Sequence, residues 1–105
     1  MKKPARIAPT RARKLPKEIL DDLVAANHIL YDQGVLDAWG HVSVRDPERP
    51  DRFWLSRSLA PSLVKASDIM EYDIDSEPVD QRGRRMYIER YIHGEMYREI
   101  GRAHV

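Results

Sequence analysis

Few residues in this chain are equipped for chemistry, and their types narrow what it can do. There are four histidines, His28, His41, His93 and His104, and no cysteine. The lack of thiols excludes disulfides, Cys-ligated zinc, iron–sulfur clusters and thiol catalysis. No two histidines stand at His-x-His or His-Glu-x-x-His spacing, so they do not spell a metal site. Glu89 and His93 are four residues apart and meet on one face of a helix. That pair reads either as an acid/base residue beside a site or as a hydrogen-bonded pair on the helix surface. Gly40-His41-Val42-Ser43 opens a strand behind a glycine. The glycine either admits a close backbone approach to a ligand or simply turns the chain. Arg57 and Ser58 begin a loop directly after a strand, where binding groups are often presented, and arginine can grip a carboxylate through two parallel bonds. The other reading is a solvated arginine. Trp39 and Trp54 suit packing or subunit contacts better than base stacking. There is no Gly-rich phosphate cradle, and no Ser-His-Asp set can be assembled.

The elements that must position these residues follow from hydrophobic rhythm. Pro16 suits a first helical turn, and Glu18, Asp21 and Asp22 complement the positive end of a helix dipole. Ile19, Leu20, Leu23, Val24, Ile29 and Leu30 recur at three- and four-residue spacing, which predicts a helix over about 16–33 stopped at Gly34. The alternation of 41–45 predicts a strand with Val42 and Val44 on one face. After the turn Asp46–Asp51, with its two prolines, residues 52–56 read as an antiparallel partner carrying Phe53 and Leu55 on one face. Residues 62–66 fit a single helical turn. Met70, Tyr72 and Ile74 give a third short strand, and 81–85 an exposed loop. The last element is a helix over about 86–100 with an apolar stripe of Ile88, Ile92, Met96 and Ile100. Glu89, His93 and Tyr97 form a stripe beside it. Helix, two or three strands, helix is an α/β arrangement in which helices cover a sheet. A sheet that small leaves an edge open.

Composition sets the frame. The chain has 105 residues, 42% hydrophobic and 33% charged, as in an ordinary folded domain. No apolar run approaches the roughly 20 residues of a membrane span, and no secretory leader is evident, so a cytoplasmic location is expected. The net charge of +1 hides an asymmetry. Six basic residues fall within the first fourteen. Of the chain's 18 basic residues, 12 remain to face 17 acidic ones, so the body carries −5. Residues 1–15 therefore read as a basic, disordered arm. Pro4 and Pro9 oppose a helix there, and no aromatic interleaves its charges as a nucleic-acid platform would require. Neither nucleic acid nor membrane is expected as a partner.

The order of the motifs is more specific than any one of them. The segment Gly34-Val35-Leu36-Asp37-Ala38-Trp39-Gly40-His41-Val42-Ser43-Val44-Arg45 resembles the opening of the class II aldolase/adducin family. Trp54-Leu55-Ser56-Arg57-Ser58-Leu59-Ala60-Pro61 looks like its next segment, and Asp68–Asp75 like the strand after that. Tyr87-Ile88-Glu89-Arg90-Tyr91-Ile92-His93-Gly94-Glu95-Met96-Tyr97 resembles the helix that carries the family's acidic residue. The likeness covers about 17–105, so 16–105 is expected to be the N-terminal part of such a domain.

That resemblance implies a three-layer αβα class II aldolase-like fold and a homo-oligomer, usually a tetramer. It implies a divalent metal, Zn or Mn, bound by a His-x-His pair and a third histidine. The pair would fall just beyond Val105; His104 matches a variable position and is not a ligand candidate. No metal is expected to bind this chain alone. Glu89 matches the family's acid/base position, and a buried setting near the sheet would suit that task. His41 replaces the asparagine of the phosphate-holding Gly-Asn-x-Ser loop, while Gly40 and Ser43 remain. Tyr87 and Ile88 stand where the sugar-phosphate aldolases carry a serine pair. The Arg57-Ser58-Leu59-Ala60-Pro61 loop looks like members that act on carboxylated substrates. The implied function is a metal-dependent carbon–carbon lyase, an aldehyde-lyase or decarboxylase acting through a stabilised enolate. Its substrate would be a small, non-phosphorylated carbonyl or hydroxy acid. The alternative is an adducin-like binding module or an inactive truncated fragment.

Overall fold

The computed structural model describes residues 13–37 and 40–100, with the side chain of Ile100 left aside; 1–12, Ala38, Trp39 and 101–105 lie outside the description. Helix α1 spans Lys17–Asp32. Strands β1 (Ser43–Arg45), β2 (Arg52–Ser56) and β3 (Ile69–Asp73) follow, with 3-10 turns at Pro61–Leu63 and Ala66–Asp68 between the last two. Helix α2 spans Arg90–Ile100. The strands form one antiparallel sheet in the order β1-β2-β3. Val44 faces Trp54 across the first ladder, and Leu55 faces Met70 across the second.

Period-two alternation splits the core between the two sheet faces. Val42, Trp54 and Ile69 pack with Leu23 of α1, and with Leu15 and Val64, on one face. Phe53, Leu55, Met70 and Tyr72 pack with Tyr87 and with Tyr97 of α2 on the other. β2 is thus buried on both sides from Phe53 to Ser56. Each fully buried apolar side chain there contributes about 1.5–3 kcal/mol. The result is a small helix–sheet–helix sandwich, as the hydrophobic rhythm predicts. Gly34 ends the first helical segment at φ 78°, a conformation that costs glycine little.

Three expectations need correction. The basic arm does not run to residue 15 as a separate segment. Leu15 is in the core, and the Arg13 guanidinium reaches both Asp46 (3.1 Å) and Glu71 (2.6 Å). Two buried carboxylates need a cation, and Arg13 with Arg52 supplies it. The second correction is that α2 starts at Arg90, after a turn through Ile88 and Glu89. The third concerns its orientation. Of the expected apolar stripe, Ile88, in the turn before the helix, is 78% exposed and Ile92 56%, while His93 and Tyr97 turn inward at 2% and 1%; Met96 is half-buried. The sheet face beneath α2 carries the polar partners His41, Ser43 and Arg45, so the helix docks with its matching polar side chains inward.

Candidate active site

The alternation that sends Val42 and Val44 toward α1 sends His41, Ser43 and Arg45 to the opposite face, where α2 lies. A continuous hydrogen-bonded row results. His41 Nδ1 lies 2.6 Å from His93 Nε2, His93 Nδ1 lies 2.6 Å from Ser43 Oγ, and Ser43 Oγ lies 2.6 Å from the Tyr97 hydroxyl. Arg45 closes the row by donating to the backbone carbonyl of Tyr97. Phe53 forms the floor, with its ring centroid 5.3 Å from that of Tyr97 and 6.5 Å from that of His93.

Tyr87 joins this row to the Arg57 loop. Its ring lies 5.1 Å from that of His41, and its hydroxyl donates to the carbonyl of Leu59 while accepting from the Leu59 amide. The loop is pinned further where the Ser58 amide donates to the carbonyl of Arg85. Arg57 Nε donates to the buried carboxylate of Asp68 at 2.7 Å. Among the described residues that is the guanidinium's one partner, so its Nη edge remains available for a ligand. Burial of Asp68 works against its ionisation, but the Lys65 amide and Arg57 outweigh it and hold the carboxyl below the ordinary 3.8.

His41 is half-buried at the open end of the row. Burial pushes its pKa below the ordinary 6.5, and the nearby charge of Glu89 opposes that push. A neutral imidazole near physiological pH follows. Glu89 itself is exposed in the turn before α2, not buried beside the sheet as expected. The structure therefore gathers Gly40, His41 and Ser43 with Tyr87 and the Arg57-Ser58 loop, and sets Glu89 within electrostatic reach of His41. No direct contact joins Arg57 to His41 among the described residues.

The sequence reading takes His93 only as the helix partner of Glu89 and Tyr97 only as a member of the same stripe, and it does not place either in a hydrogen-bonded row with β1. The available signal was the polar set at 41, 43 and 45 opposite the Val42/Val44 face, matched by a polar i, i+4 pair on the following helix. As for a metal, no group of three His, Asp or Glu is placed to hold one among the described residues. His41 and His93 direct facing nitrogens at each other. The described residues thus do not fit the Zn or Mn of the expected family. What they offer by themselves is hydrogen bonding, proton handling and anion recognition.

Three known proteins resemble this chain in sequence or in fold. Decarboxylase tropJ of Talaromyces stipitatus is 49% identical over 78 residues, which cover 72% of this chain and 29% of that protein. L-fuculose 1-phosphate aldolase from Glaciozyma antarctica PI12 superposes with a TM-score of 0.68 at 25% identity, over 87% of this chain and 41% of that one. An aldolase II superfamily protein from Pseudomonas syringae shares the fold with a TM-score of 0.70 at 24% identity, over 84% and 37% of the two chains. The chain thus spans less than half the length of each. Residues 21–105 match the family described as Class II Aldolase and Adducin N-terminal domain. With most of its length matched and its helix–sheet–helix order shared, this chain belongs to the class II aldolase and adducin N-terminal domain family.

Proposed function

We propose that this chain supplies the substrate-facing part of a carbon–carbon lyase of the decarboxylase type. Its substrate is a small carboxylated, non-phosphorylated carbonyl or hydroxy acid. The observation that carries the reading is the 49% identity with a decarboxylase, which spans most of the chain. The site geometry agrees with it. Arg57, held at Nε by Asp68, turns a two-nitrogen edge to a carboxylate. His41 donates a hydrogen bond to the oxygen that gains charge as the carbon–carbon bond breaks, and such preorganised donors are a main source of rate. Glu89 moves the proton that quenches the carbanion equivalent. A phosphate has no cradle here, since His41, Tyr87 and Ile88 occupy places where small polar groups would hold one. The family's divalent metal, Zn or Mn, belongs to the proposal for the whole protein, with ligands from outside the described residues. Assembly as a homo-oligomer and a cytoplasmic setting belong to it as well.

The test is release of carbon dioxide by the whole protein, loaded with Zn or Mn, from a panel of hydroxy, keto and aromatic carboxylates. Phosphorylated sugars serve as the comparison. Turnover of carboxylates and none of the sugar phosphates is expected. Turnover of sugar phosphates alone overturns the substrate assignment, and ligand binding without turnover replaces the lyase by an adducin-like binding module.

A further inference from the structure

We infer that Tyr87 is a positioning residue that sets the separation between Arg57 and His41. It thereby restricts the proposed site to carboxylates whose carbonyl or hydroxyl oxygen stands at one distance from the carboxylate. The inference rests on the lyase reading for its substrate and on the geometry around Tyr87 for its mechanism. Tyr87 is tied at three points. Its ring is buried, packed in the cluster of Phe53 and Met70, with its centroid 5.1 Å from that of His41. Its hydroxyl accepts from the Leu59 amide at 3.2 Å and donates to the Leu59 carbonyl. Its own carbonyl accepts from Arg90, the first residue of α2, through the amide at 3.3 Å and the guanidinium at 3.1 Å.

A tyrosine side chain has two torsions and is rigid beyond them, so ties at both ends turn it into a spacer. A buried tyrosine hydroxyl usually finds a hydrogen-bond partner. Here it spends donor and acceptor together on the backbone of one residue, two positions after Arg57. Both bonds go to main-chain atoms, so they fix the course of the loop whatever side chain stands at 59. The Leu59 amide has no other acceptor among the described residues.

The other ties of the loop divide the work. Asp68 orients Arg57, accepting from its amide at its own carbonyl and from Nε at its carboxylate, both at 2.7 Å. The Ser58 amide donates to the Arg85 carbonyl at 2.7 Å, which docks the loop on the segment that leads into Tyr87. Arg57 and His41 do not touch, but Tyr87 touches the loop of the one and the ring of the other. A substrate gripped at its carboxylate by Arg57 must then bring its oxygen to His41 across a gap that Tyr87 sets. One methylene too few or too many forfeits one of the two contacts. The Tyr87 hydroxyl is committed to Leu59, so its part is spacing and not proton transfer.

Amide hydrogen exchange of the 105-residue chain reads the tie directly. Tyr87→Phe keeps the ring on His41 and removes the hydroxyl. Its Leu59 amide should exchange about 3–10-fold faster, the loss of one hydrogen bond, while the amides of β2 and β3 keep their rates and report an intact fold. Spacing is read by equilibrium binding of lactate, 3-hydroxybutyrate and 4-hydroxypentanoate to the whole protein. In this series the hydroxyl stands one methylene farther from the carboxylate at each step. The wild type should bind one of the three about tenfold or more tighter than the others, and Tyr87→Phe should bring all three to within about threefold. An unchanged Leu59 exchange rate in Tyr87→Phe overturns the inference. So does equal weakening of all three acids, which is a merely structural loss, and so does a wild type that prefers none of them. If exchange and preference change as stated but no carboxylate is turned over, the positioning is upheld and the lyase reading alone fails.

Discussion

At the scale of single residues, several charges are held in ways that can be measured. Asp46 accepts from Arg13, from the Trp54 indole and from the amides of Glu48 and Arg49. Burial works against its ionisation, but these four donors outweigh it and hold its pKa at about 2, against an ordinary 3.8. Between those two values the unfolded chain binds more protons than the folded one, so stability rises with pH through that window. The contribution, roughly 2 kcal/mol, is fully present above about pH 4 and lost as pH falls to about 2. Urea unfolding at a series of pH values should show this loss, and Asp46→Asn should flatten it; an equal slope in both proteins would contradict the assignment. Arg57 calls for a finer substitution than alanine, because Asp68 beneath it is buried and needs a donor. Arg57→Lys keeps the charge and loses the fork. It should raise KM about tenfold or more, the loss of one charged hydrogen bond, with a smaller effect on kcat. A fall in kcat with KM unchanged would place Arg57 elsewhere in the mechanism.

At the scale of elements, the approach of α2 to the sheet depends on one missing side chain. A Cβ on Gly94 would lie 2.1 Å from Ser76 Oγ and 3.1 Å from the carbonyl of Ile74. Ser76 has no room to yield, being buried at φ 68° with its hydroxyl on the Arg90 carbonyl. Gly94→Ala should therefore cost about 1–3 kcal/mol through overpacking, read as a lower denaturant midpoint; an unchanged midpoint would mean the helix sits farther out. The same helix shows where the sequence was legible and where it was not. The strands and α1 could be read because their buried residues are the apolar ones at the right period. The docking of α2 could not be read from hydropathy, because Ile88 and Ile92 outrank His93 and Tyr97 on any such scale. The inward choice is made by hydrogen-bond satisfaction. Ser43 and His41, placed on that face by strand alternation, would be left without partners if isoleucines came inward. The spacing of Glu89 and His93 left a site residue and a surface pair both open, the motif around Glu89 favoured the first, and its exposure is a property of the turn before α2.

At the scale of the whole molecule, the sandwich is covered unevenly. Ile88 in the turn before α2, with Tyr91 and Ile92 on α2 itself, leaves exposed apolar surface, and β1 is a three-residue edge strand. Exposed apolar surface and an open edge favour association. The 105-residue chain is expected to self-associate in sedimentation velocity runs, and Ile92→Glu should shift it toward monomer. A concentration-independent monomer would count against association through this face. The central claim, however, is chemical: the acidic residue ahead of α2 moves the proton in a carbon–carbon lyase. Its most direct test is the turnover of Glu89→Gln in the whole metal-loaded protein, on the carboxylate the wild type decarboxylates fastest. A proton-transfer residue is worth about 10²–10⁴-fold, so kcat should fall by that factor while metal content and melting temperature stay as in the wild type. Near-normal kcat with full metal content would contradict the account.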